Sequence, residues 1–291
     1  MIALILSVLS SSAIYIAFKL FGKYKVTTLN ALIVNYFTAF VLGIIIQGDV
    51  SLEGIWVATS KDWFYGSMAL GAMFILVFTL MVITTQKGGM SVVSVSSKMS
   101  VAIPVIFVIV YYNESLGLLK IIGIITALIS VYLVSVRKKK GLSIDMKYFI
   151  FPLLVFIGSG IIESSIKFLE NTYVPNNEIS LFSASTFFFA CVTGLIVFGI
   201  RKFKHKANFK RKDLLGGFLL GIPNYFSIYF FILALRIEGL DSSSIFIINN
   251  VSIVLLSTIL GILFFKERMI RKNWVGIAVA ILSIVLITYT Q

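Results

Sequence analysis

The sequence predicts an all-helical integral membrane protein of ten transmembrane helices, built as two inverted five-helix repeats. Three observations predict it. Of the 291 residues, 59% are hydrophobic and only 13% are charged, with a mean hydropathy of +1.02; a soluble chain carries about a quarter charged residues. The apolar residues fall into runs of about 20, the length that crosses a hydrocarbon core of about 30 Å at about 1.5 Å per residue. One long stretch also occurs twice. YYNESLGLLKIIGIITALISVYLV, from Tyr111, overlays FFKERMIRKNWVGIAVAILSIVLI, from Phe264, at a constant offset of 153 positions. Tyr111-Tyr112 falls on Phe264-Phe265, Glu114 on Glu267, Gly123 on Gly276, Ala127 on Ala280 and Ser130 on Ser283. A repeat of that length means two halves with one plan.

In chain order the apolar runs predict spans at about 2–20, 28–47, 63–85, 91–112, 118–136, 148–168, 179–200, 214–236, 243–265 and 273–290. Helices are expected over barrel strands, which are shorter and alternate in polarity. Met1 to Leu20 has no basic leader and no small-residue cleavage site, so it reads as a retained first span. Cys191 lies within an apolar run, and a single cysteine makes no disulfide within the chain.

Orientation follows from charge. The odd-numbered loops carry 20 of the 25 Lys and Arg residues; the other five are Lys61, Lys98, Lys120, Lys167 and Arg236. Basic loops stay on the cytoplasmic side, so both termini are expected outside a plasma (inner) membrane. The same placement explains the net charge of +13 without a nucleic-acid partner. Further matches extend the repeat. FIGSGIIESSIKFL overlays the first helix, setting Lys167 opposite Lys19 and Glu163 opposite Tyr15, while Gly221 falls opposite Gly71. The halves are residues 1–137 and 148–291, joined by the basic linker 138–147. Five helices per half is an odd number, so the second half enters from the opposite side and the repeat is inverted.

A first helix running from small residues to Lys19, and fourth and ninth helices each ending aromatic-aromatic-x-Glu before a glycine-containing helix, together resemble the drug/metabolite transporter superfamily of EamA type. The resemblance spans essentially the whole chain. It implies ten helices, alternating access and a central cavity lined by helices one, three, four, six, eight and nine. Its substrates range from amino acids and drugs to nucleotide sugars. One feature departs from it: the proline common in helix nine is absent, and Ser257 stands opposite Pro104.

Polar residues inside the apolar runs carry the functional signal. Lys98 lies seven residues into the fourth span, where a charge costs a few kcal/mol unless it faces a cavity or a partner. Ser94 lies one turn before it, and Pro104 follows, where the missing amide frees a carbonyl. The alternative for Lys98 is snorkelling or a tie between helices. Glu163 lies midway along helix six among Gly158, Ser159 and Gly160, the small residues that permit close approach. A buried carboxylate suits proton coupling, so Glu163 is the candidate coupling residue. A helical pair with Lys167, four residues on, is the structural alternative, although Lys167 can snorkel outward. In the cavity that the resemblance implies, Lys98 and Glu163 would face each other from different halves and bind the two ends of a zwitterion or neutralise each other.

Asn249 and Asn250 of helix nine can both donate and accept, and they fall opposite Ser96 and Ser97. Pro223, Asn224 and Tyr225 predict a discontinuity in helix eight, and broken helices line many transporter sites. Tyr15 completes the candidate substrate-binding set of Lys98, Asn249, Asn250, Ser94, Asn224, Tyr225 and Tyr15. Taken singly, Tyr15, Ser7, Ser11, Asn35, Tyr36 and Thr79 also suit helix packing.

Glu114 and Glu267 read as structural, capping the following helix or pairing with Ser115 or Arg268. Gly88-Gly89 is a turn with no phosphate-loop spacing. One His and one Cys offer no metal site and no nucleophilic triad, so no cofactor and no enzyme activity is expected. The expected activity is secondary transport of a small polar or amphipathic metabolite, amino acid or drug-like, with proton coupling as an option. Uncoupled facilitation of amino acids and a lipid-handling protein that grips headgroups remain the alternatives. A closed ten-helix bundle needs no partner copy, so a monomer is expected and a dimer is left open.

Overall fold

The computed structural model describes residues 1–48, 58–88, 96–114, 117–135, 150–204, 208–265 and 270–289. Ser94, Ser115, His205, Glu267 and the linker 138–147 lie outside them. Among the described residues, ten α-helices are present: α1 (Ile2–Tyr24), α2 (Thr28–Gln47), α3 (Phe64–Gly88), α4 (Ala102–Tyr112), α5 (Leu118–Ser135), α6 (Ile150–Thr172), α7 (Ile179–Lys204), α8 (Arg211–Leu235), α9 (Ser242–Phe265) and α10 (Arg271–Tyr289). Short 3-10 turns at Ala58–Ser60 and Asn176–Glu178 precede α3 and α7. By length and composition, α1, α2, α3, α6, α7, α8 and α9 are apolar enough to cross a membrane; α4 and α5 are shorter apolar helices. Large apolar side chains such as Leu76, Ile106, Val110, Leu219 and Val285 stand exposed, as lipid-facing surface does and a soluble surface rarely does over so many positions. This is a multi-pass membrane protein.

Two expectations about helix continuity are corrected. The fourth span runs as an apolar helix over Ser96–Tyr112 with one irregularity: the helical hydrogen bonding is interrupted at Ser100 and Val101, where Val101 keeps helical φ and ψ, and is regular again from Ala102. Pro104, in the first turn of α4, has no amide to give the Ser100 carbonyl. The Ile103 N–H bonds that carbonyl instead, at 2.9 Å, one residue short of helical spacing. Conversely, α8 runs unbroken past Pro223. The discontinuity expected in helix eight lies in the fourth span.

The chain folds into two compact units, each drawing on both sequence halves. One comprises residues 1–12, 77–164 and 234–291; the other comprises residues 13–76 and 165–233. In the second unit α2 and α7 run antiparallel, with Gly43 against Ala184 and Gly194 against Ile33. Gly217 and Gly221 of α8 press onto the α2 backbone: a Cβ on Gly221 would lie 2.7 Å from the Asn35 carbonyl oxygen. Gly71 of α3 presses likewise onto α7, where a Cβ would lie 2.6 Å from the Ala190 nitrogen. Such close approach gains dispersion energy between helices that lipid does not push together. Tyr36, Phe74 and Phe187 stack beside these contacts, with Tyr36 and Phe187 fully buried.

In the first unit α5 and α10 are antiparallel as well. Gly123 near the start of α5 lies against Ile287 near the end of α10. At the other end, Asn273 donates to the Leu133 carbonyl at 2.9 Å and accepts the Ile270 N–H at 2.9 Å. One side chain therefore caps the start of α10 and satisfies a carbonyl near the end of α5.

Candidate functional site: a charge chain bridged by Asn250

Lys98, Glu163, Asn249 and Asn250 all fall within the first unit, and three of the four join in one chain. Lys98 belongs to the helical turn ahead of Ser100 and is buried, at 9% exposure. Its Nζ donates to Oδ1 of Asn250 at 3.4 Å. The Asn250 Nδ2 donates to Oε2 of Glu163 at 3.5 Å and to the Phe246 carbonyl at 3.2 Å. Charge fixes the orientation of this amide, because an ammonium only donates and a carboxylate only accepts. Asn250 is 2% exposed, whereas Glu163 is only half-buried and keeps access to its surroundings.

The neighbouring Asn249 serves a different contact: its Oδ1 accepts the Ser7 hydroxyl of α1 at 3.1 Å. Consecutive residues on a helix point about 100° apart, so α9 turns one asparagine to α1 and the other to the charges. Both Ser7 and Asn249 are buried. Ser7 reads from sequence as a packing residue, and no local spacing could have tied it to a partner so far along the chain.

The alternative pairing of Glu163 with Lys167 is replaced by another. Lys167 binds Oε1 of Glu170 at 2.6 Å and Oδ1 of Asn171 at 3.5 Å. Lys167 does not snorkel; it and Glu170 form a buried ion pair at 5% and 2% exposure. The i, i+3 spacing to Glu170 was a usable signal.

Glu114 accepts the Ser242 N–H at 2.8 Å, the Ser243 N–H at 3.1 Å and the Ser243 hydroxyl, at the start of α9; Ser115, its expected local partner, lies outside the described residues. Lys120, buried on α5, pairs with Asp241 at 2.6 Å and approaches Glu114 at 3.5 Å. A carboxylate at a helix N-terminus satisfies orphan amides and meets the positive end of the dipole.

The remaining candidates lie in the second unit. Asn224 donates to Oδ1 of Asn35 at 3.1 Å, joining α8 to α2. Tyr225 is fully buried against Phe187, Phe226 and Tyr229. Tyr15 is half-buried on α1. Two further ties join helix ends in this unit. Glu178, ahead of α7, accepts from Lys61 and from the Trp63 indole at 2.8 Å. Asp213 of α8 accepts the Thr27 N–H at 2.8 Å and the Asn30 amide at 3.0 Å at the start of α2. Among the described residues no cluster of His, Cys, Asp and Glu could hold a metal ion.

The EamA-like transporter family model matches the chain twice, over residues 1–136 and 150–289. The chain belongs to the EamA-like transporter family. An uncharacterised protein of Haemophilus influenzae is 26% identical over 292 residues, covering 98% of this chain and 97% of that protein. A solved crystal structure superposes with a TM-score of 0.77 at 13% identity, covering 99% of this chain and 96% of that one. That likeness shows a shared fold.

Proposed function

We propose that this EamA-like protein is a secondary transporter of the plasma membrane, carrying a small polar or amphipathic metabolite, amino acid or drug-like, by alternating access. Lys98, Asn249 and Asn250 bind substrate, and Glu163 couples transport to protons. The observation that carries the reading is the Lys98–Asn250–Glu163 chain. A lysine and a carboxylate held within apolar helices are costly to keep unless they act on a ligand or ion. Their elements, with Ser7 on α1, belong to four of the six helices that the family resemblance assigns to a cavity lining.

An inverted repeat requires equivalent helices to run antiparallel, and the α2/α7 and α5/α10 pairings support one. So do Gly71 against α7 and Gly221 against α2, equivalent glycines on equivalent partners. The described helices include no nucleotide-binding module, so the driving force is a gradient, and the molecule functions as a monomer with both termini outside.

Uptake into sealed liposomes under an imposed proton gradient tests this reading. Wild type should respond to the gradient. Glu163→Gln should lose that response, and Lys98→Ala should lose substrate affinity. Uptake that ignores the gradient would indicate an uncoupled facilitator, and leaflet exchange of lipid without solute uptake would indicate lipid handling. If both variants match wild type, the chain is structural and this assignment is wrong.

A further inference from the structure

Within the second unit the end of α1 meets the start of α8. Nζ of Lys212 donates to the Tyr24 carbonyl at 3.1 Å, and Gly216 lies against Phe21. Five cations gather there: Lys23 and Lys25 on either side of Tyr24, then Lys210, Arg211 and Lys212. All but Lys212 are exposed. The acidic residue at this end, Asp213, is buried, and its oxygens go to the Thr27 N–H, the Asn30 amide and the Lys210 N–H. Among the described residues no carboxylate pairs with any of the five, whereas Lys61, Lys120 and Lys167 each have one.

Membrane topology explains why basic residues lie at this end. It does not explain where they stand on the backbone. Lys210 precedes α8 and Arg211 and Lys212 open it, at the positive end of the helix dipole, where cations are repelled. Lys25 follows α1 with φ +51°, and the Val26 N–H bonds back to the Phe21 carbonyl at 3.0 Å. That is the left-handed position closing a helix, where glycine is at ease and a lysine is strained. Both placements cost stability on their own, and an anion shared among the cations offsets both. The dipole that repels them attracts it.

The surface beside the cations is apolar. Leu215, Phe218 and Ile222 follow Arg211 at helical spacing, and all three are exposed. A small soluble anion gains nothing from that stripe; a lipid uses both parts. We propose that the joined ends of α1 and α8 bind an anionic phospholipid, its phosphodiester among Lys25, Arg211 and Lys212 and its acyl chains along Leu215, Phe218 and Ile222. The site shares no residue with the Lys98–Asn250–Glu163 chain, so it stands whether or not that chain binds substrate. The lipid is a bound partner and not cargo.

The full chain, purified in a neutral detergent, is titrated with phosphatidylglycerol, phosphatidylcholine or soluble glycerol 3-phosphate. Thermal melting and the lipid retained in native mass spectra are the readouts. Phosphatidylglycerol should bind and raise the melting temperature, and the other two should do neither at the same concentration. Arg211→Gln with Lys212→Gln should weaken phosphatidylglycerol binding about twenty-five-fold, at about fivefold per cation near an anionic surface. Without lipid that variant should melt no lower than wild type, since it removes cations from the positive end of a dipole. Lys25→Asn should melt higher without lipid and gain less from it. Arg271→Gln with Lys272→Gln, an equal charge loss at the start of α10, should bind as wild type does.

Phosphatidylcholine binding as tightly as phosphatidylglycerol would overturn the proposal, and so would glycerol 3-phosphate doing so. Equal weakening by the α8 and α10 variants would also overturn it, leaving only diffuse surface charge. The comparison of ligands on wild-type protein decides the matter even if a variant does not fold.

Discussion

Two kinds of charged contact coexist in this molecule, and they differ in place, distance and bridging group. At the helix ends, carboxylates meet ammonium groups or helix amides directly: Glu114 with Ser242 and Ser243, Lys120 with Asp241, Lys167 with Glu170, Lys61 with Glu178. Within the helices, Lys98 and Glu163 are spanned by Asn250 through longer bonds. The first kind holds helices in register and neutralises what it joins. The second joins a half-buried carboxylate and a buried ammonium through a neutral amide.

The five Lys and Arg residues outside the basic loops sharpen this contrast. Lys61, Lys120 and Lys167 have acidic partners and Lys98 has Asn250. The charges that depart from the loop pattern are, for these four, the ones the fold has engaged.

The contrast predicts that variants sort into those that lose transport and those that lose stability. The largest effects belong to the bridged chain: Lys98→Met should cost about 2–5 kcal/mol in substrate binding, as removing one member of a buried charge pair does, and Glu163→Gln should abolish the response of uptake to a proton gradient. Melting of the purified protein should change little. Next comes the buried pair at the end of α6. Glu170→Gln leaves Lys167 without its carboxylate and should cost about 3–5 kcal/mol of stability, whereas Lys167→Met with Glu170→Leu should be nearly neutral. Thermal melting of both variants would check the pair.

Third is Glu114→Ala. It strips the start of α9 of its cap, worth about 1–2 kcal/mol, and should show as faster amide hydrogen exchange at residues 242–245. Ser7→Ala should cost about 1 kcal/mol, one neutral hydrogen bond, read as a small shift in melting. Lys61→Met is the smallest. Its side chain is about one-third exposed, so its ion pair should be worth less than about 1 kcal/mol.

Much of the helix pattern was legible because apolar run length is a direct physical demand of the bilayer. The second helix falls at 28–47 as read, and the ninth differs by one residue. The freed carbonyl before Pro104 was legible, but not how it is satisfied: hydropathy continues across Ser100 and Val101, and only the backbone shows that the Ile103 N–H takes the Ser100 carbonyl. Pro223 carried the same signal and broke nothing, so proline alone does not decide. Lys98, Glu163 and Asn250 stood out as polar residues in apolar runs. That Asn250 lies between the other two rests on contacts 152 and 87 residues apart in sequence, beyond any local pattern. The capping of α9 by Glu114 rests likewise on contacts 128 and 129 residues apart.

The most direct test measures initial uptake per folded molecule in sealed liposomes for Glu163→Gln beside Glu170→Gln, two carboxylates seven residues apart on α6. The account predicts a loss of at least about tenfold, one decade per 1.4 kcal/mol, for Glu163→Gln with melting unchanged. Glu170→Gln should melt lower and transport like wild type. Equal uptake by the two variants, or a loss confined to Glu170→Gln, would contradict it.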